Sequence, residues 1–539
     1  MTMAKVTPAR LRMTENRLIL LVALFITVFG NFSFFSRVLA AYPLTSATAP
    51  ALLSLVVVLL AVNVLLLGCL GLARMTRPVL VLFLVLSALA AYFMDSYGIV
   101  INVDMLHNAM QTQASEVRDL LNLKLLSYAL LLGGLPALLV MRVELNWRGW
   151  RVELIARLKL IASTLLALVA VTLIFGGFYA SFVREHKPLR SYANPTYWIY
   201  SALRYASEQT ARDAAQSLVP HGTDARVPPQ DQHRELIVLV VGETARADHF
   251  SLNGYARETN PRLREAGAIS FNNFWACGTS TAAALPCMFA DATLGAPPGK
   301  HENLLDVLQH AGVNVLWLDN NSDSKGVALR VPYRNYRIPD NNPVCDEECR
   351  DEGMLSGLQA YIDAHPQGDI LIVLHQMGNH GPAYYRRYPP AFEKFTPACH
   401  SNDLSQCSPE EIINAYDNAI LYTDDFLGKL IALLGRNSQQ FEAGMLYVSD
   451  HGESLGEGGL YLHGMPKAVA PKAQLHVPAL MWLAPNYDDV DTAALSKKAA
   501  MRFSHDNLFH TVLGFMEIES AVYRKDLDML YDVRRPEHD

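Results

Sequence analysis

The sequence predicts two architectures in one chain: an N-terminal transmembrane domain of five helices, followed by an α/β domain whose mixed, largely parallel sheet is sandwiched by helices. Three observations carry that reading. Long apolar runs crowd before residue 183, short strand-like runs alternate with amphipathic helical patterns after it, and six of the seven cysteines fall in the second part. At 539 residues and 51% apolar, with a mean hydropathy of +0.13, the chain is too long for one ordinary domain and too apolar for a purely soluble one.

The apolar runs cover residues 18–35, 51–72, 79–97, 120–141 and 160–182. Each is close to the roughly 20 residues a helix needs to cross a hydrocarbon core of about 30 Å. Lys5, Arg10, Arg12 and Arg17 flank the first run, but it is long and lacks a small-x-small cleavage site, so it is read as an anchor. The N-terminal segment, the turn with Arg74 and Arg77, and the loop with Arg142, Arg148, Arg151, Arg157 and Lys159 share one side. By the positive-inside rule that side is cytoplasmic, and five crossings place everything after about residue 183 outside. The expected domains are residues 1–182 in the membrane, 183–233 as an interfacial segment and linker, and 234–539 as the exported domain.

Cysteine usage fits this topology. Cys69 lies in a span, while Cys277 with Cys287, Cys345 with Cys349 and Cys399 with Cys407 form close couples in the exported part. Six cysteines allow about 15 pairings. Local pairing is the simplest, and an even number suits an oxidising compartment. No CxxC spacing argues for metal thiolates. The net charge of −7 averages two unlike halves, and no basic, aromatic-laced stripe argues for nucleic acid.

In the exported part, apolar runs at 236–241, 313–318, 370–374, 445–448 and 477–483 alternate with helical patterns such as 301–311, 353–364 and 409–434. That alternation predicts a mostly parallel sheet covered on both faces. Ligands of such sheets bind beyond the carboxyl ends of the strands. The residues found there are Glu243 and Thr244, the run DNNSDSK at 319–325, His375 with GNHGP and His380, and SDHGES with Asp450 and His451, followed by LHG with His463.

Glu243, Asp450 and His451 offer two oxygens and a nitrogen, a zinc-compatible set with room for a fourth ligand. A hydroxyl held there would lose its proton readily and become a nucleophile. The stretch CGTSTAAALPC at 277–287 supplies three candidates, Thr279, Ser280 and Thr281, and does not choose among them. Taken singly, each residue has a plainer reading as a helix cap or turn. Independent caps have no reason to supply a complete metal set at successive strand ends. Ahead of this domain, Asn108, Thr112 and Glu116 stand at i, i+4 and i+8, on one face of a helix if the segment is helical.

VGETAR (241–246), CGTSTAAALPCMF (277–289), DNNSDSK, GNHGP, SDHGES and LHG together resemble the membrane-bound phosphoethanolamine transferases of Gram-negative bacteria, within the alkaline phosphatase superfamily. The branch most similar is the one that modifies lipid A. The resemblance implies an alkaline phosphatase/sulfatase-like catalytic domain in the periplasm, carried by a multi-pass inner-membrane domain. It implies Thr281 as nucleophile, zinc held by Glu243, Thr281, Asp450 and His451, and Lys325 as a charge clamp. His380 and His463 would bind substrate or a second zinc, and Asn321 would hold the substrate or phosphoryl group. Asn108, Thr112 and Glu116 would hold the ethanolamine head group. A Cys277–Cys287 bridge would stiffen the turn of the nucleophile.

The implied reaction takes phosphoethanolamine from phosphatidylethanolamine to a lipid A phosphate through a phosphoethanolamine-threonine intermediate. Diacylglycerol is released, and polymyxin resistance is the expected consequence. The expected partners are these lipids, and the chain is read as a monomer. The alternatives are a core-sugar acceptor such as heptose or Kdo, or another envelope glycan. A sulfatase or phosphodiesterase is a further alternative, although no C/S-x-P-x-R motif is present. The last is a non-catalytic envelope-binding protein, against which the full set of metal ligands argues.

Overall fold

A computed structural model describes residues 12–71, 73–111, 114–214, 218–229 and 233–535. Two compact units emerge: one built from 1–106 and 121–207, the other from 107–120 and 208–539.

Among the described residues, the first unit has four helices long and apolar enough to cross a membrane: Ala49–Leu70, Thr76–Tyr97, Leu123–Arg142 and Trp150–Ile174. A bent pair, Glu15–Phe29 and Phe32–Ala41, makes a fifth if counted as one span; its arms meet at 54°. The bend falls at Gly30–Asn31, where the Asn31 amide donates to the carbonyl of Ile26 at 3.0 Å. That carbonyl also accepts the Gly30 N–H at 2.9 Å, so the helix end at the bend is capped twice over.

The last span lies N-terminal to the hydropathy window that predicts it. Arg157, read from sequence as a loop residue, is buried inside Trp150–Ile174 and donates to Glu15 at 2.9 Å. A charge paired in this way can sit inside a bundle that no hydropathy window would grant it.

The second unit is built on an eight-stranded sheet. Its strands in chain order are β1 (Glu235–Gly242), β2 (Ile269–Trp275), β3 (Asn314–Asp319), β4 (Tyr333–Asn335), β5 (Ile370–His375), β6 (Glu442–Ser449), β7 (His476–Leu483) and β8 (Phe503–Ser504). Their spatial order is β8-β2-β7-β6-β1-β5-β3-β4. Only β7 runs antiparallel to its neighbours. Every residue of β1 is buried, as expected of a central strand covered on both faces. Each apolar side chain from Leu236 to Val241 contributes about 1.5–3 kcal/mol by leaving water.

Helices Leu304–His310, Leu358–Ala364 and Pro409–Asn437 appear near the predicted positions. The longest starts at a capping box in which Ser408 and Glu411 exchange side-chain and backbone bonds.

This topology positions the site. The seven parallel strands all end at one edge of the sheet, and the register levels their ends: Gly242 lies opposite Ser449, and His375 lies opposite both Val241 and Asp319. The antiparallel β7 begins at that same edge, so the segment leading into it arrives there too. The residues that follow β1, β2, β3, β5, β6 and β8, and those that precede β7, are therefore brought together.

Candidate active site

Glu243 follows β1 directly, and Asp450 and His451 follow β6; all three are fully buried. His451 Nε2 lies 3.5 Å from Glu243 Oε1 and 3.4 Å from Asp450 Oδ2. Both of those carboxylate oxygens are buried without a hydrogen-bond partner. Native interiors rarely leave such atoms unsatisfied, so their convergence calls for a cation. Burial, and for Glu243 the neighbouring Asp450, pushes both carboxyls above their usual range, whereas burial and the nearby His463 hold the His451 imidazole well below its own. Two oxygens and one imidazole nitrogen form a donor set that suits zinc.

The three hydroxyls left open by the sequence separate in space. Thr279 Oγ1 donates to the carbonyl of Met465 at 2.7 Å, and Ser280 Oγ is buried without a partner. Thr281 Oγ1 donates to Glu243 Oε2 at 2.9 Å and stands 3.4 Å from His451 Nε2. Thr281 also opens the helix Thr281–Met288, whose N-terminal N–H groups favour an anion beside it. The Cys277–Cys287 disulfide brackets this turn, and Cys345–Cys349 and Cys399–Cys407 are the other two bridges.

Asn321 lies in the loop after β3, where its amide donates to Glu243 Oε2 and to the carbonyl of Gln376, each at 2.7 Å. Asp319 shapes that loop by accepting the backbone N–H groups of Asn321 and Asp323 at 3.0 and 3.2 Å. Lys325 ends it; its ammonium donates to the carbonyl of Ser322 at 2.6 Å. Burial lowers the Lys325 pKa, against the pull of Glu116, Asp323, Asp319 and Glu243.

His463 arrives on the segment before β7, with its ring centroid 4.3 Å from that of His451 and 5.8 Å from that of His380. Burial alone would hold His463 down, but Glu453, accepting from Nδ1 at 2.8 Å, lifts it above its ordinary value. His380, with no such partner, is held well below by burial and by Arg387.

Glu453 is a residue that sequence reasoning missed. It is fully buried, also accepts from the Tyr384 hydroxyl at 2.7 Å, and joins His451 and His463 in a second group of possible metal ligands. It stood in the SDHGES motif two residues beyond His451, but its partner Tyr384 comes from a distant segment.

The segment ahead of the domain forms two helices, Val103–Gln111 and Ala114–Leu120, and Thr112 lies outside the described residues. Asn108 is part-buried on the first. Glu116, on the second, has its carboxylate 3.7 Å from Arg337. Burial raises its pKa against the opposing charges of Arg337, Lys325, Arg387 and His463. Asp119, one turn further on, pairs with Arg386 and Arg387.

Gly452 shows how tightly the ligand loop is fitted. A Cβ there would lie 2.0 Å from the carbonyl oxygen of Ala473, whose neighbour Gln474 accepts the Gly452 N–H at 3.0 Å. Gly452→Ala is therefore expected to cost about 1–3 kcal/mol. Thermal unfolding of the full chain in detergent measures that loss, and an unchanged midpoint would contradict the close fit.

Comparisons with known proteins show the family of the chain. Residues 59–210 match the family model described as phosphoethanolamine transferase EptA/EptB, and residues 235–518 match the sulfatase model. The chain is 44% identical over 515 residues to phosphatidylethanolamine transferase Mcr-1 of Escherichia coli, covering 92% of this chain and 94% of the relative. It belongs to the phosphoethanolamine transferase family. EptA of Escherichia coli K12 is 39% identical, with 96% of each chain covered. The solved integral membrane EptA of Neisseria meningitidis superposes with a TM-score of 0.92 at 35% identity, covering 98% of this chain and 100% of that one. As a member of this family, the chain is a multi-pass inner-membrane protein whose sulfatase-like catalytic domain is periplasmic.

Proposed function

We propose that this phosphoethanolamine transferase moves phosphoethanolamine from phosphatidylethanolamine to a lipid A phosphate of lipopolysaccharide, through a covalent intermediate on Thr281. The observation that carries the reading is the Thr281 hydroxyl: of the three in its cluster, it is the one bonded into the buried Glu243, Asp450 and His451 set. The donor is supported by the Mcr-1 relative, named a phosphatidylethanolamine transferase, and the acceptor class by the Neisseria relative, named for lipooligosaccharide. The proposed division of labour assigns residues 1–182 to the membrane, 183–233 to an interfacial linker and 234–539 to catalysis.

In the first step the Thr281 oxygen attacks phosphorus, a P–O bond forms, and the bond to the glycerol oxygen breaks. The hydroxyl proton passes to Glu243 Oε2, to which Thr281 already donates. His463, whose pKa Glu453 raises, supplies a proton to the departing diacylglycerol oxygen. In the second step a lipid A phosphate oxygen attacks the same phosphorus and the P–O bond to Thr281 breaks; the Thr281 oxygen takes back its proton from Glu243, and the P–OH proton of the acceptor phosphate restores His463. Lys325 and Asn321 face the phosphoryl oxygens, while Glu116, with Asn108 and Thr112, takes the ethanolamine ammonium.

One zinc ion is assigned to Glu243, Thr281, Asp450 and His451; His451, Glu453 and His463 are where a second would bind, and with that ion bound His463 would be a ligand instead of the proton donor. Zinc would supply Lewis acidity, favouring loss of the threonine proton and offsetting charge on the phosphoryl oxygens.

Mass spectrometry of lipid A and core from cells with and without the chain tests the acceptor. The expected result is phosphoethanolamine on lipid A phosphate, with reduced susceptibility to polymyxin because an added ammonium lowers the negative charge that attracts the cationic peptide. A mass gain confined to heptose or Kdo would overturn the lipid A acceptor.

A further inference from the structure

His505 lies outside every motif that builds the site, yet it ties two halves of it together. It is fully buried and follows the two-residue strand β8, whose parallel pairing with β2 (Ser504 opposite Trp275) sets it beside the start of the nucleophile's loop. Its Nδ1 accepts the backbone N–H of Cys277 at 3.1 Å, and its Nε2 stands 3.0 Å from the carbonyl oxygen of Ser449. An N–H donor fixes Nδ1 as the acceptor, and a carbonyl fixes Nε2 as the donor. The ring is thus neutral and in one tautomer, in keeping with a pKa that burial lowers to about 4.

Each end of this bridge bears on a proposed reacting or ligating group. Cys277 opens the turn that delivers Thr281, and Ser449 immediately precedes Asp450 and His451. Ser449 carries the coupling further: its hydroxyl accepts the N–H of Ala245, two residues beyond Glu243, at 2.8 Å, and donates to the carbonyl of His451 at 2.9 Å. The turn itself has little slack. A Cβ on Gly278 would lie 2.8 Å from the Ala284 nitrogen, and the Thr279 carbonyl accepts the Gly464 N–H at 2.7 Å.

We infer that His505 is a positioning residue, a neutral imidazole strut that fixes the distance between the turn carrying Thr281 and the strand end carrying Asp450 and His451. The inference rests on the reading of Thr281 as nucleophile. A misplacement of about 1 Å at a reacting group can cost about 100-fold in rate, so loss of the strut falls on turnover rather than on donor binding.

The test uses the full chain in detergent, with phosphatidylethanolamine as donor and release of diacylglycerol as the readout. His505→Ala is expected to lower kcat about 10- to 100-fold with KM for the donor changed less than about 3-fold. His505→Asn places an acceptor near the Nδ1 position and should restore turnover to within about 5-fold of wild type. His505→Gln, which reaches toward Ser449 but leaves the Cys277 N–H without an acceptor, should not.

Zinc content and thermal midpoint are measured for each variant. A loss of turnover that follows the midpoint or the zinc content across all three would make His505 merely structural and overturn the inference. So would wild-type turnover in His505→Ala, or equal loss in Asn and Gln. Thr281→Ala run alongside separates the two readings. If it is inactive while His505→Ala turns over normally, only the strut fails; if it remains active, the nucleophile assignment fails first.

Discussion

Thr281→Ala is expected to lower transfer at least about 10³-fold, about 4 kcal/mol of transition-state stabilisation, while leaving the fold intact. Removing a nucleophile removes the covalent path itself, so no neighbouring hydroxyl should compensate. Thr279 is committed to the Met465 carbonyl, and Ser280, as N-cap of the helix, has its hydroxyl buried apart from Glu243. Thr281→Ser keeps the oxygen and should retain measurable activity, reduced by the rotamer freedom that the β-methyl restrains. Diacylglycerol release and lipid A modification should fall together in the alanine variant. Transfer at the wild-type rate would sink the assignment.

The second large effect concerns the metal. Glu243, Asp450 and His451 crowd three ionisable groups into a fully buried space, with two carboxylate oxygens left without partners. Asp450→Asn is expected to weaken zinc binding at least about 100-fold and to abolish turnover with it. Because a metal that binds the folded state stabilises it by mass action, about 4 kcal/mol at 1,000 times Kd, zinc added to the chelated wild type should raise its thermal midpoint by several degrees. The same addition should leave Asp450→Asn nearly unmoved. Equal zinc content and equal midpoint shifts in the two proteins would remove Asp450 from the ligand set.

Burial on both faces made much of this structure legible from the sequence. The strands β1, β3, β5, β6 and β7 read as unbroken apolar runs because helices cover them. The strand β2 escaped because Asn272 and Asn273 interrupt it, one of them exposed, and β4 and β8 are too short to show a period. The antiparallel sense of β7 was not legible either, since a doubly covered strand reads the same in both directions. That sense nevertheless brings His463 to the site.

In the membrane unit, the bend at Gly30–Asn31 and the buried Glu15–Arg157 pair lie beyond any hydropathy window. At the site, Glu243, Asp450 and His451 were legible because polar residues directly after buried strands stand out. Glu453 and His505 were not: Glu453 is tied to the site through Tyr384, 69 residues earlier, as well as His463, and the His505 ring bonds to segments far away in the chain.

The most direct test of the central claim is peptide mapping by mass spectrometry of wild-type chain quenched during turnover with phosphatidylethanolamine and no acceptor. The account predicts phosphoethanolamine on the peptide spanning Cys277 to Met288, localised to Thr281 and discharged when lipid A is added. A modified residue other than Thr281, or rapid transfer with no adduct at any residue, would contradict it.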